Sequence, residues 1–125
     1  MLGFLGRFGR AEGLRQLDAA LRAVDLHPAL VPEAVKLATL RQLEAAIGKP
    51  QPHDFAAAAE LLAYCMVGPE AFTEATDAAL TQSVEARIEA ATQAGDSLDA
   101  RLVLLTLHAG LTQPVVVARL GLEDG

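Results

Sequence analysis

Tryptophan is absent from these 125 residues, and tyrosine and cysteine each occur once. One cysteine excludes an intrachain disulfide and suits a reducing compartment, so the expected location is cytoplasmic. Isoleucine and the aromatics, which favour strands, are scarce, while Ala and Leu, which head the helix-propensity order, dominate. No run approaches the roughly 20 apolar residues that a membrane-spanning helix needs. The opening MLGFLGRFGR is broken by glycines and carries no long apolar region or small-residue cleavage site, so it does not read as a secretory signal.

Positive charge is also short: 10 Lys and Arg stand against 16 Asp and Glu, a net −6. Nucleic-acid binding depends on cations neutralising phosphates, so this deficit argues against it. The deficit is uneven. Residues 1–49 carry seven basic and five acidic side chains, whereas residues 50–125 carry three and eleven. Such asymmetry can guide association with a basic partner or a second copy, although an acidic solvated face would also produce it. Arg outnumbers Lys eight to two and Ala is frequent, the codon signature of a bacterial gene of high GC content.

What is present is a hydrophobic fraction of 52%, in a chain long enough to bury one core without staples. The expected fold is all-α, a compact bundle of five to six helices joined by short Gly/Pro loops. Residues 11–122 form its single domain, preceded by a flexible or loosely packed segment 1–10 and followed by a frayed tail 123–125.

The first helix is expected over residues 11–26. Leu14, Leu17, Leu21 and Val24 form its apolar stripe, and His27-Pro28 ends it, because a residue before proline avoids helical dihedrals. The second runs from Pro32 to Ile47 on Leu37, Leu40, Leu43 and Ile47, with Gly48 as its terminator. LRQLDAAL at 14–21 returns as LRQLEAAI at 40–47, identical at six of eight positions. No third copy follows, so a stacked repeat is not indicated. The pair reads as two helices with equivalent core stripes, packed as an antiparallel hairpin.

The third helix, 54–67 with Asp54 as its cap, buries Phe55, Ala58, Ala59, Leu62 and Met66. Leu61, Tyr64 and Val67 lie outside that stripe, so the helix is apolar nearly all round. Such a helix is either central or half covered by a partner, which makes Leu61, Tyr64 and Val67 the candidate partner interface. Residues 69–94 carry two apolar faces rotated apart, and a break is expected at 73–77, where Thr73, Thr76 or Asp77 can cap a new start. Asp96 or Ser97 caps the next helix, whose LVLLTL run (102–107) lacks a polar face and is expected at the core's centre. Gly110 ends it. A short helix at 114–120 closes with Gly121, although VVV at 115–117 could instead be extended.

Chemistry-bearing residues are few. Cys65, His27, His53 and His108 show none of the C-x-x-C or H-x-x-x-H spacings that announce metal sites. Cys65 reads as a core residue, and the histidines as helix-end chemistry. The carboxylate pairs Glu70/Glu74, Glu85/Glu89 and Asp96/Asp99 lack the Glu-x-x-His partners of a di-iron bundle and read as caps or solvated faces. GFLGRFG at 3–9 follows no strand and so lacks the frame of a phosphate loop. HAGLTQPVVVARLG at 108–121 looks like the first helix and turn of a helix-turn-helix. It is followed by Glu123 and Asp124 in place of a basic recognition helix.

No catalytic residue, metal ligand or cofactor is therefore expected. The leading expectation is a self-associating helical interaction or structural module, with a homo-oligomer or another protein as partner. A ligand or enzymatic site between helices, using histidine and Cys65, is the alternative. A third reading lays residues 1–10 on an anionic membrane surface, through Leu2, Phe4, Leu5 and Phe8 with Arg7 and Arg10. A segment so short, with three glycines, binds only marginally.

Overall fold

The structure is a computed structural model describing residues 2–122, with side chains from residue 9 onward. Among the described residues there are seven α-helices and no strand: α1 (Leu2–Ala23), α2 (Glu33–Ile47), α3 (Pro52–Val67), α4 (Pro69–Ala75), α5 (Ala78–Ala94), α6 (Leu98–His108) and α7 (Pro114–Leu120). A 3₁₀ turn at Pro28–Leu30 joins α1 to α2. The all-α class holds, and the count exceeds the expected five to six. Residues 69–94 divide fully at Thr76, where Asp77 Oδ1 accepts from the Leu80 amide and starts α5 afresh. The VVV run is helical.

The backbone of residues 2–10 belongs to α1. Side chains up to residue 8, and the expected frayed tail 123–125, lie outside the described residues.

α3 is the central helix. Leu61, Leu62, Ala63, Tyr64 and Cys65 are consecutively buried, which only an element covered on every side allows. α1, α4, α5 and α6 pack around it, and α2 closes over α1 and α6. Its start differs from expectation. Gln51, not Asp54, is the N-cap, and Asp54 sits three residues inside, accepting the Gln51 amide at 2.7 Å in a capping box. Pro52 then occupies the first helical position, where its missing N–H costs nothing.

Two expected core positions face solvent. Ile47 is 40% exposed at the last turn of α2, and Leu104 is 47% exposed within the LVLLTL run, while Leu102, Val103 and Thr106 are buried. The repeated octapeptides are thus not equivalent stripes. Leu17 and Leu43 match in burial, but Leu21 is buried where Ile47 is not. α2 buries Val35, Thr39, Leu40 and Leu43, a face turned toward α6 as well as α1.

Candidate functional site

The face of α3 proposed from sequence as a partner interface is occupied by the chain itself. Leu61 and Tyr64 are fully buried and Val67 is half-buried, because α4, α5 and α6 cover the positions outside the main stripe. Tyr64 instead anchors a polar arrangement where α3, α4, α5 and α7 meet. Its ring stands edge-on to Phe72 of α4, centroids 5.7 Å apart at 81°. Its hydroxyl donates to Glu85 Oε2 at 2.5 Å. Arg119 of α7 donates to the same carboxylate, Nε to Oε2 at 2.6 Å and Nη2 to Oε1 at 3.4 Å.

Burial raises the Tyr64 pKa well above the ordinary phenol value, and the adjacent carboxylate adds to the rise, so the hydroxyl stays protonated and donates. For Glu85, burial acts upward, but the bonds from Arg119 and Tyr64 outweigh it and hold the carboxyl below its ordinary value. Arg119 is held by that pairing above its own ordinary value.

Glu85 and Arg119 form one wall of an open cleft of about 790 Å³ between α4, α5 and α7, with Tyr64 buried behind it. Val67 and Val115 supply its apolar surface, Val115 being 51% exposed. Glu70 and Glu74, one helical turn apart on α4, stand on its rim, exposed and without an ion-pair partner among the described residues. Like charges at this spacing repel, so an approaching cation would relieve them. The hinge of the cleft is Gly68, which caps α3 and opens α4 at φ 90°. A Cβ there would lie 3.4 Å from Val115, so both backbone angle and space favour glycine. α7 is pinned beside it by Gln113, whose amide donates to the Cys65 carbonyl at 2.8 Å and whose side chain donates to the Met66 carbonyl at 2.9 Å. Thr73 and Thr81, joined at 2.7 Å, tie α4 to α5 beneath the rim.

The remaining sequence candidates do not converge. Cys65 is fully buried and its thiol is pushed up to about 11 by burial, which removes the thiolate that nucleophilic chemistry needs. His27 is the N-cap of the 3₁₀ turn, Nδ1 accepting from the Ala29 amide at 3.0 Å. His53 is 82% exposed at its side chain, 3.4 Å from Asp54, and His108 is exposed at the end of α6. Among the described residues, no three His, Cys, Asp or Glu side chains gather as metal ligands. No described helix is long and apolar enough to cross a membrane.

Sequence reasoning missed two roles. Glu85 is not a solvated partner of Glu89 but turns inward to Tyr64. Asp99 is more than a cap or a solvated acid. It holds Arg87 through two bonds of 2.9 and 3.1 Å, while Arg87 also donates to the Ala57 carbonyl at 3.2 Å and lies 3.6 Å from Glu60, joining α3, α5 and α6. Burial raises Glu60 above its ordinary value against the pull of Arg87. Compared with protein-family models, with curated proteins and with solved structures, the chain matches none.

Proposed function

We propose that the protein is a small helical interaction module that associates with itself, the cleft between α4, α5 and α7 receiving the basic start of α1 from a second copy. The observation that carries the reading is the acidic rim of that cleft, Glu70 and Glu74, set beside exposed Val115. The chain's own N-terminal segment offers the complement, Arg7 and Arg10 interleaved with Phe4, Leu5 and Phe8.

The distance between the two ends supports a contact between copies. Gly9 and Arg10 of α1 line a cleft with Gly48, Lys49 and Phe55, near the N-terminus of α3, whereas the acidic cleft begins at Val67, its last residue. About 18 Å of helix axis separates Phe55 from Val67 at 1.5 Å per residue. A segment at one end meeting a cleft at the other gives a head-to-tail contact, which propagates beyond a dimer unless it closes into a ring.

Sedimentation of the full chain at tens of micromolar tests this. Concentration-dependent species larger than dimer are expected at low salt, weakening by on the order of tenfold in affinity near 1 M salt, where charges are screened beyond about 3 Å. A monomer throughout the concentration series at low salt overturns the proposal.

A further inference from the structure

A second cleft, of about 480 Å³, opens between α1 and α2 at the opposite end of α3. Its floor is apolar, made by half-buried Leu37 and by the small parts of Leu40 and Phe55, 6% and 5% exposed, that the chain leaves uncovered. Gly9 of α1 is exposed in its lining, and a Cβ there would meet nothing within 4 Å, so a larger side chain fits at this position. Around it stand Arg10, Arg41 and Lys49, all exposed.

These cations differ from the rest of the basic residues. Arg15, Lys36, Arg87, Arg101 and Arg119 are each held by a carboxylate. Among the described residues four basic side chains lack such a partner, and all but Arg22 line this cleft. Of the two carboxylates in the lining, Glu12 is already engaged by Arg15, which leaves Glu44 as the one opposing charge. A void with an apolar floor and unpaired cations at its edge has the form of a small-molecule site, and its volume lies within the range of roughly 300–1,000 Å³ usual for them.

We infer that this cleft binds a single-chain amphiphile with an anionic head, of the fatty-acid type. The hydrocarbon covers Leu37 and the uncovered parts of Leu40 and Phe55, and the carboxylate is met by Arg41 and Lys49, which leaves Arg10 to the head-to-tail contact. A small inorganic anion would leave the floor wet, and an uncharged hydrocarbon would leave the cations unanswered.

Calorimetric titration of the full chain with octanoate, decanoate and laurate tests the inference. Each buried methylene tightens binding about fourfold, so each two-carbon step gains about 15-fold until the floor is covered. Gly9→Leu adds a bulky side chain to the lining and should cost laurate at least about tenfold in affinity. Its thermal midpoint should hold or rise, because leucine is the better helix former. Arg41→Gln with Lys49→Gln should weaken laurate by about two- to fivefold per charge removed and leave dodecanol unchanged. Affinity independent of chain length overturns the proposal, as does laurate binding that Gly9→Leu leaves intact. Retention on anionic phosphatidylglycerol vesicles without any heat from monomeric laurate also overturns it, since the partner would then be a membrane.

Discussion

At the scale of single residues, Glu85 ties stability to pH. Its carboxyl is held below the ordinary value of 4.5, so the folded chain binds fewer protons there than the unfolded chain. Its contribution to stability is complete above that value and is lost as pH falls through the depressed one. Urea titrations should therefore show wild type losing stability below about pH 4.5, with Glu85→Gln less stable at neutral pH and flatter in acid. Glu60 has the opposite sign. Burial raises its pKa, so protonation favours the folded chain, and Glu60→Gln should steepen the acid loss. Cys65 gives an independent check on burial. With its thiol at about 11 and no exposed surface, labelling by a disulfide reagent at mild pH should proceed only at the rate of unfolding, and a rapid native phase would contradict the burial described. The inert cysteine was legible from its place on an apolar helix. The Tyr64–Glu85–Arg119 arrangement was not, because its members lie 21 and 34 positions apart and no local pattern relates them.

Helix ends show how far local chemistry reaches among the elements. Three helices stop by one device, in which a residue with positive φ is followed by leucine whose amide bonds back five residues. The leucine amides of Leu26, Leu111 and Leu122 reach the carbonyls of Leu21, Thr106 and Val117. Gly110 and Gly121 fill the left-handed position in two of them, and these stops could be read directly from the sequence. The first has Asp25 at φ 61° instead, a strained choice for a residue with a Cβ, and the expected end slipped toward His27. Asp25→Gly should raise stability by about 1 kcal/mol in denaturant unfolding, and Gly110→Ala should lower it by a similar amount. A stripe of leucines was a weaker guide than a terminator. Periodicity tells which side of a helix is apolar but not how far its neighbours extend, and so Ile47 and Leu104 match the core pattern while facing solvent. The same limit explains Leu61 and Tyr64. Their apolar surplus pointed to a cover, and the cover is the chain's own α4, α5 and α6.

At the scale of the whole molecule the uneven charge becomes a polarity of ends, with α3 as the axis between a basic cleft and an acidic one. The proposed head-to-tail association through these ends would make a demand that general stickiness does not. Reversing the rim with Glu70→Arg and Glu74→Arg leaves a chain with two basic ends. Reversing the segment with Arg7→Glu and Arg10→Glu leaves a chain with two acidic ends. Each variant alone should sediment as a monomer at low salt, because both of its possible contacts oppose like charges, which in an interface cost several kcal/mol. Arg10, Glu70 and Glu74 are exposed, and the fold of each variant is checked by helical circular dichroism and the thermal midpoint. An equimolar mixture should associate again, since each variant then presents to the other the complement it cannot offer itself. Association of either variant alone would place the contact elsewhere. A mixture that stays monomeric, with both partners folded, would show that charge complementarity between these two ends does not hold the assembly together.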